Sequence, residues 1–278
     1  MTPKSAILLP PKHLSSCIAA AIVRDTRGSA LPDIDRFNYF PATPLVTVTY
    51  ILQGELRLVD IGASVEVAQD ACAMAPISVI PPQNNPTASW SPSDVFVLTV
   101  GFYPDALVKL GADTGFHAVP DEVASVVMEL NTDGNVDEMW DRYCASLAPV
   151  WDAGRDAGGL PDWPGSDLVA DWSRYVISRM AMSLAGRSAR TWERRLRQWT
   201  GKTRQQLELF SAVEDLYRRS VQNPDEPLAQ LAVITGFADQ SHMGRAVRRT
   251  TGFSPARLNK LIETAEPFWC YRLLGARF

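Results

Sequence analysis

Histidine is scarce and cysteine is scattered in this chain of 278 residues. His13, His117 and His242 lie in three separate segments, and the four cysteines stand far apart at positions 17, 72, 144 and 270. Metal-dependent sites need clustered imidazoles, thiolates or carboxylates, and zinc or disulfide frameworks need paired cysteine spacings. We therefore expect no metal site, no cofactor and free thiols, as in a reducing cytoplasm.

Motifs of catalysis and of membrane insertion are missing as well. The sequence has no G-x-S-x-G elbow, no Walker-type phosphate loop and no dinucleotide fingerprint after a strand. No apolar run reaches the roughly 18 residues that a membrane span requires, and the N-terminus lacks a signal-peptide pattern. We expect a soluble, cytoplasmic protein that is not an enzyme.

Charge is distributed unevenly between the two halves of the chain. Residues 1–165 hold 9 Lys and Arg against 20 Asp and Glu, whereas residues 166–278 hold 18 against 11. Such a split is expected when only the basic half contacts a polyanion. The length is that of two ordinary domains.

The N-terminal half is typical of a β-rich domain. β-Branched and aromatic residues from 45 to 52 precede Gln53-Gly54 and a second such run, which predicts a β-hairpin. Further strands are predicted at 64–68, 77–80 and 94–102, separated by turns such as the proline-rich and asparagine-rich segment 81–86. Many short strands with such turns indicate a small sandwich or barrel.

Helices follow the predicted strands, at 121–130 and 135–151. The second helix carries an apolar stripe that packs in the core or assists dimerisation: Val136, Met139, Trp140, Tyr143, Leu147 and Val150. A segment rich in Gly, Asp and Pro at 153–164 predicts a domain boundary. Four aromatic residues either line an effector pocket or belong to the core, namely Tyr50, Trp90, Phe102 and Tyr103.

Two stretches near the C-terminus repeat each other at an offset of 51 residues. Arg194 in the first stretch corresponds to Arg245 in the second, and Gly201 corresponds to Gly252. Apolar positions also correspond to apolar positions; for example, Trp192 corresponds to Met243. A helix, a turn and a second helix are therefore used twice.

The second unit has the clearer pattern. Asp239 is a candidate N-cap for a helix that runs to about residue 250, with Met243 and Val247 facing inward. The opposite face carries side chains suited to base edges and phosphates, or to an ordinary solvated surface: Gln240, Ser241, His242, Arg245, Arg248 and Arg249.

The first unit is predicted as a helix over 167–185, a cap at Ser188 and a second helix with Leu196 facing inward. The outward face of that second helix carries Arg190, Glu193, Arg194 and Arg197. Glu193 could accept from cytosine, but an ion pair with Arg197 four residues on is the favoured interpretation. The arginines are suited to phosphate contact.

The segment 236–258 reads GFADQSHMGRAVRRTTGFSPARL and resembles the signature of the AraC/XylS family of bacterial transcription regulators. A weaker similarity extends over 188–207. The resemblance implies an α+β multidomain fold, in which residues 1–163 form a cupin-like β-barrel or jelly roll with following helices, for sensing and dimerisation. Residues 166–278 would form an all-α DNA-binding domain with two helix-turn-helix units.

By that resemblance, the two recognition helices enter successive major grooves of double-stranded DNA, about 34 Å apart. The implied base contacts come from Gln240, Ser241, His242 and Arg245 in the second unit and from Arg190, Glu193 and Arg194 in the first. A small-molecule effector or partner at the N-terminal domain, a homodimer and contacts with RNA polymerase are also implied. The chain departs from the family at Gly244, on the outer face of the recognition helix, and at Val247, where relatives carry an aromatic residue.

Two other classes of function remain open at this point. One is a ligand-sensing or interaction protein that does not bind DNA and uses the helix pairs as a scaffold, which the acidic pI of about 5.5 favours. The other is an enzyme with chemistry in the barrel or an alkyl-accepting cysteine.

Overall fold

The computed structural model describes residues 2–126, 135–156, 163–166, 168–183 and 189–277. Its N-terminal half is built from antiparallel strands in two sheets. The strands are β1 (Lys4–Leu8), β2 (Ile18–Asp25), β3 (Phe37–Phe40), β4 (Val46–Gln53), β5 (Arg57–Val59), β6 (Ile77–Ile80), β7 (Thr87–Trp90) and β8 (Phe96–Phe102).

The larger sheet has the order β1-β2-β8-β4-β6, and the smaller one has the order β3-β7-β5. One face of the larger sheet, with Tyr50 and Leu98, belongs to the main apolar core. The other face, with Thr49 and Thr99, looks toward the smaller sheet. Within the described residues no strand is shared by the two sheets, so the sheet-rich domain is an open sandwich here and not a closed barrel.

Two sequence predictions in this half were wrong. The expected hairpin at Gln53-Gly54 does not form, because β4 belongs to the larger sheet and β5 pairs with β7 in the smaller one. Gly54 has a φ of +84°, and a Cβ there would lie 2.4 Å from the carbonyl oxygen of Asp94, so the glycine allows the chain to cross between sheets. The predicted strand 64–68 is instead a helix, α1 (Val65–Asp70), because the Ser64 side chain caps it.

Three helices follow the strands: α2 (Pro104–Lys109), α3 (Asp121–Ser125) and α4 (Val136–Gly154). Each contributes residues to the apolar core that it shares with the larger sheet. The end of the predicted helix 121–130 lies outside the described residues. The centre of the α4 stripe, with Met139, Tyr143 and Leu147, is buried in the main core. The stripe therefore stabilises the fold and does not present an exposed dimer surface, and the homodimer stays a prediction.

The C-terminal half is helical. Its helices are α5 (Val169–Ser183), α6 (Ala189–Thr200), α7 (Arg204–Gln222), α8 (Leu228–Ile234), α9 (Gln240–Thr251), α10 (Pro255–Thr264) and α11 (Trp269–Ala276). The predicted cap Ser188 lies outside the described residues. Among the residues that the structure covers, no helix has both the length and the apolar character of a transmembrane span.

The main core crosses the predicted domain boundary. Trp172 of α5, Leu196 of α6 and Leu207 of α7 pack in the same cluster as the sheet residues. Trp172 also stacks on Tyr103 and donates its indole N–H to Asp105 Oδ1 at 2.9 Å. The first helix-turn-helix unit thus shares its apolar core with the N-terminal half, whereas the second unit has a cluster of its own.

Candidate nucleic-acid interface

Helix α9 begins and ends where its sequence predicts. The Asp239 carboxylate accepts from the backbone N–H of His242 at 2.7 Å, which satisfies a free donor at the helix start. Gly252 ends the helix with a φ of +84°, a conformation that glycine adopts without strain. Met243 and Val247 are buried against the second unit's own apolar cluster, so one face of α9 is fixed inward.

The opposite face of α9 is exposed along its whole length. Every residue predicted to contact DNA on this helix is exposed: Gln240, Ser241, His242, Arg245, Arg248 and Arg249. Gly244 lies among them, and a Cβ placed there would meet nothing within 4 Å. The structure therefore brings all six predicted side chains to one accessible, basic surface.

His242 is held in one orientation. Its Nδ1 accepts from the backbone N–H of Ala238 at 3.4 Å, and its ring packs edge-on against Phe237 with the centroids 5.5 Å apart. Because Nδ1 accepts, the neutral ring carries its proton on Nε2. The side chain therefore presents a donor, which suits the acceptor atoms of a purine edge.

Helix α6 presents the corresponding surface of the first unit. Arg190, Arg194 and Arg197 are exposed, while Leu196 is fully buried. The expected ion pair between Glu193 and Arg197 does not occur in the described residues. Instead, the Glu193 carboxylate accepts from the backbone N–H of Arg204 at 3.3 Å, since the start of α7 offers free donors. Glu193 is thereby committed to α7, and the arginines remain available for phosphates.

One loop of the sheet domain contacts both helix-turn-helix units. We call residues 81–86 the proline loop. A Cβ at Gly201, after α6, would lie 3.4 Å from Pro82, and a Cβ at Gly252, after α9, would lie 3.5 Å from Pro86. These two glycines occupy equivalent positions in the repeat, so the loop meets both units at the same structural point.

A buried lysine fixes the first of these contacts. Lys202 is 2% exposed, and its ammonium group donates to the Pro82 carbonyl at 2.8 Å and to Asn84 Oδ1 at 2.7 Å. Burial, and secondarily the charge of Arg249, lowers the pKa of Lys202 to about 8. The sequence patterns did not identify Lys202 as a contact residue. The only indication in the sequence is that the first unit has a lysine at the position where the second unit has Phe253.

A second set of contacts joins the sheet domain to the C-terminal helices. Arg24 of β2 donates to Glu266 Oε1 at 2.6 Å, and Arg272 of α11 donates to Glu266 Oε2 at 2.9 Å. The indole of Trp269 donates to Asn38 Oδ1 at 2.8 Å. The end of the helical half, around Glu266 and α11, is therefore joined to the sheets by polar contacts, of which the one between Trp269 and Asn38 is fully buried.

An apolar cavity of about 340 Å³ lies between the larger sheet and the second unit. Residues of the sheet domain such as Ile22 and Leu45 form one wall, and the inner face of α9 with Met243 and Val247 forms another. A volume of this size accommodates a small molecule.

The four aromatic residues predicted to line an effector pocket lie elsewhere. Phe102 is fully buried in the main core, and the Tyr50 hydroxyl is 3.1 Å from that of Tyr143. Trp90 donates to the Asp33 carbonyl at 3.0 Å, and Tyr103 donates to the Ser166 carbonyl at 3.1 Å. None of the four lines the cavity. Each is packed inside the fold, and Tyr50, Trp90 and Tyr103 also form side-chain hydrogen bonds there.

Comparison with known proteins agrees with the geometry of the C-terminal half. Residues 182–260 match the family model of a helix-turn-helix domain. No curated protein sequence matches the chain. The family model therefore describes only the C-terminal part of the chain.

Two solved structures resemble the chain over most of its length. ToxT from Vibrio cholerae O395, bound to (E)-4-(8-methylnaphthalen-1-yl)but-3-enoic acid, is 11% identical, with a TM-score of 0.40, covering 92% of this chain and 98% of its own. The AraC-like transcriptional activator CuxR is 13% identical, with a TM-score of 0.29, covering 99% of this chain and 100% of its own. What the comparisons show of this chain is a helix-turn-helix domain in residues 182–260.

Proposed function

We propose that the chain is a sequence-specific transcription regulator that reads DNA through α6 and α9 and responds to a small molecule held by its N-terminal half. The observation that carries this proposal is the exposed face of α9, where all six predicted contact residues are accessible. Residues 166–278 would act as the DNA-binding domain and residues 1–163 as the sensor.

The two recognition helices have different roles in this proposal. Helix α9 presents Gln240, His242 and Arg245, whose side chains can form directed hydrogen bonds with base edges. Helix α6 presents Arg190, Arg194 and Arg197 and no free carboxylate, since Glu193 is bonded to the start of α7. We therefore assign base reading mainly to the second unit and phosphate contact mainly to the first.

Control by a small molecule is supported by the cavity between the larger sheet and the second unit. Its walls include Met243 and Val247, which lie directly beneath the exposed face of α9. A ligand there would contact the recognition helix from behind, without competing with DNA.

Fluorescence anisotropy of the full chain on DNA enriched from a random pool tests the proposal. Five exposed arginines on phosphates predict a slope of about −4.5 for log affinity against log salt concentration. The five are Arg190, Arg194, Arg197, Arg248 and Arg249. Failure to enrich a sequence, or binding that does not change with salt, would refute the proposal and favour the scaffold alternative.

Replacing Arg245 with alanine tests the base-reading assignment. A bidentate contact between arginine and guanine contributes about 1–3 kcal/mol of discrimination, so Arg245→Ala should relax the preference at one base position by about 5- to 150-fold. Arg155→Ala is the matched control, because Arg155 is an exposed arginine of the N-terminal half. An unchanged base preference in Arg245→Ala would remove this residue from base reading.

A further inference from the structure

Strand β6 lies at one edge of the larger sheet. One side of β6 pairs with β4, and no strand of the described residues pairs with its other side. The other outer strands have neighbours, because β1 and β3 contact α11, and β5 forms a bridge between Arg57 and Ala73. In the described part of the chain, β6 therefore has the sheet edge that is open to pairing. We call this side of β6 the open edge.

The hydrogen bonds to β4 show which backbone groups point toward the open edge. The backbone N–H of Ile51 donates to the Pro76 carbonyl at 2.8 Å, so these two residues form a hydrogen-bonded pair. Hydrogen-bonded and non-hydrogen-bonded pairs alternate along an antiparallel ladder. Ile77 and Val79, one and three positions further on, are therefore in non-hydrogen-bonded pairs with β4. Their N–H and C=O groups point away from β4, toward the open edge.

The sequence around β6 carries no charge. Asp, Glu, Lys and Arg are absent between Asp70 and Asp94, a stretch that contains the whole strand. Proteins that remain monomeric commonly place charged side chains, above all lysines, on their open sheet edges, because these side chains prevent pairing with another chain. No such side chain opposes pairing along β6.

The open edge accepts only a short strand. Pro81 directly follows β6 and occupies the next position whose N–H would point outward, but proline has no N–H. At the other end, the Ala75 carbonyl already accepts from the Ser78 hydroxyl at 2.8 Å. The outward groups of the strand are therefore those of Ile77 and Val79.

This short edge is complementary to a second copy of itself. In an antiparallel pair of two β6 strands related by a two-fold axis, Ile77 of each copy lies opposite Val79 of the other, and the two residues exchange both backbone hydrogen bonds. The two Ser78 side chains then face each other across the axis. Serine is small and uncharged, whereas identical charged side chains at this point would repel each other.

Charge and burial favour a second copy as the occupant. Residues 1–165 hold 9 Lys and Arg against 20 Asp and Glu, so the N-terminal halves of two copies repel each other wherever carboxylates meet. The uncharged stretch around β6 avoids this repulsion. Ile77 and Val79 are also only partly buried against the main core, and strand pairing would cover more of their apolar surface.

We infer that the open edge of β6 pairs with β6 of a second copy of this chain, which forms a two-fold dimer with one sheet continuous across the axis. The inference goes beyond the proposed function, because neither DNA nor an effector takes part in the pairing. Since the shared strand is short, we expect a dimer that dissociates on dilution.

Sedimentation velocity of the full chain over a range of concentrations, without DNA, tests the inference. The parent should shift from monomer to dimer as its concentration rises. Val79→Pro should weaken dimerisation at least about 10-fold, because it removes an outward N–H on each side of the axis. It leaves the pairing with β4 in place, since the N–H of Val79 does not bond to β4.

Val79→Ile is the matched control, because isoleucine keeps both the N–H and the β-branched side chain, and it should dimerise like the parent. A parent that stays monomeric at every concentration would overturn the inference. Equal dimerisation of Val79→Pro and Val79→Ile would overturn it as well, because the outward N–H would then have no part in the contact.

Cross-linking at Ser78 tests the register and does not depend on the folding of the proline variant. Opposed Cα atoms in a non-hydrogen-bonded pair lie about 4.5 Å apart, which is within the range of a disulfide. Ser78→Cys should therefore form a covalent dimer on mild oxidation. The background is Cys72→Ser, since Cys72 is the exposed thiol of the parent.

Ser93→Cys is the control for random collisions, because Ser93 is an exposed serine outside β6. It should give no covalent dimer under the same conditions. Absence of a dimer with Ser78→Cys, or equal cross-linking at the two positions, would refute the pairing. Either result would leave a strand from a different protein as the occupant of the open edge.

Failure of this inference and failure of the proposed function give different results. A chain that stays monomeric but binds DNA in a salt-dependent way would refute the dimer and retain the proposed function. A dimer through β6 that enriches no DNA sequence would retain the dimer and refute the proposed function.

Discussion

The buried ammonium group of Lys202 predicts a specific dependence of stability on pH. Lys202 is 2% exposed, and both of its bonded acceptors, the Pro82 carbonyl and the Asn84 amide oxygen, are neutral. Burial lowers its pKa from 10.5 to about 8, so the unfolded chain holds this proton more tightly than the folded one. The folded state is therefore penalised below pH 8, and the penalty is relieved as the pH rises toward 10.5.

The size of the stability change follows from the shift in the pKa of Lys202. Each pKa unit corresponds to about 1.4 kcal/mol, so between pH 7 and pH 10 the parent should gain about 2 kcal/mol of unfolding free energy through this group. Lys202→Met preserves the length of the side chain and has no such group. The stability of the parent relative to Lys202→Met should therefore increase by about 2 kcal/mol over that pH interval.

Urea unfolding of the parent and of Lys202→Met at pH 7 and pH 10 measures the effect. Other groups that titrate in this interval contribute equally to both proteins and cancel in the difference. Lys260→Met is the matched control, because Lys260 is exposed and its replacement should leave the difference constant with pH. If the difference between the parent and Lys202→Met is also constant, Lys202 is not desolvated by the proline loop and the reasoning fails.

Three further substitutions test single positions. Burial raises the pKa of Asp105 from 3.8 to about 6, so its contribution to stability is present below pH 4 and is lost as the pH rises through 6. Relative to Asp105→Asn, the parent should lose about 2 kcal/mol of unfolding free energy between pH 4 and pH 7, as measured by urea unfolding. Stability curves that run parallel for the two proteins would contradict this. Gly244→Ala should raise the unfolding free energy by about 0.5–1 kcal/mol, because the position is helical and open, whereas Gly252→Ala, at a φ of +84°, should lower it. Equal effects at the two glycines would contradict the conformations assigned to them.

Local patterns predicted the parts of the fold that depend on nearby residues. The 3.6-residue period placed Met243 and Val247 inward and the contact residues of α9 outward, and Asp239 caps that helix as expected. The same period identified the buried stripe of α4. In these helices, capping and amphipathicity are decided within a few residues along the chain.

Contacts between distant segments were not predictable in this way. A hairpin was expected at Gly54, but the chain crosses between the two sheets there. The reason is that β5 pairs with β7, which comes much later in the chain, so the residues next to Gly54 do not decide the pairing. The burial of Lys202 likewise depends on a distant segment, the proline loop, to which its ammonium group donates. The aromatic residues assigned to a pocket are core residues for the same reason: composition does not reveal which side of a strand faces a cavity.

The docked arrangement limits how an effector could regulate DNA binding. The predicted contact residues of α9 are exposed while the second unit is packed against the sheets, so the N-terminal half does not act by covering them. It does contact both units at equivalent points, Gly201 and Gly252, through the proline loop. The backbone N–H of Ala42, on the cavity wall, donates to the carbonyl of Thr250 at the end of α9 at 2.7 Å. A ligand that moves this wall would therefore change the angle or spacing of α9 relative to α6, and two rigidly spaced helices must match successive major grooves to bind together. Regulation through that spacing requires no change in either recognition surface.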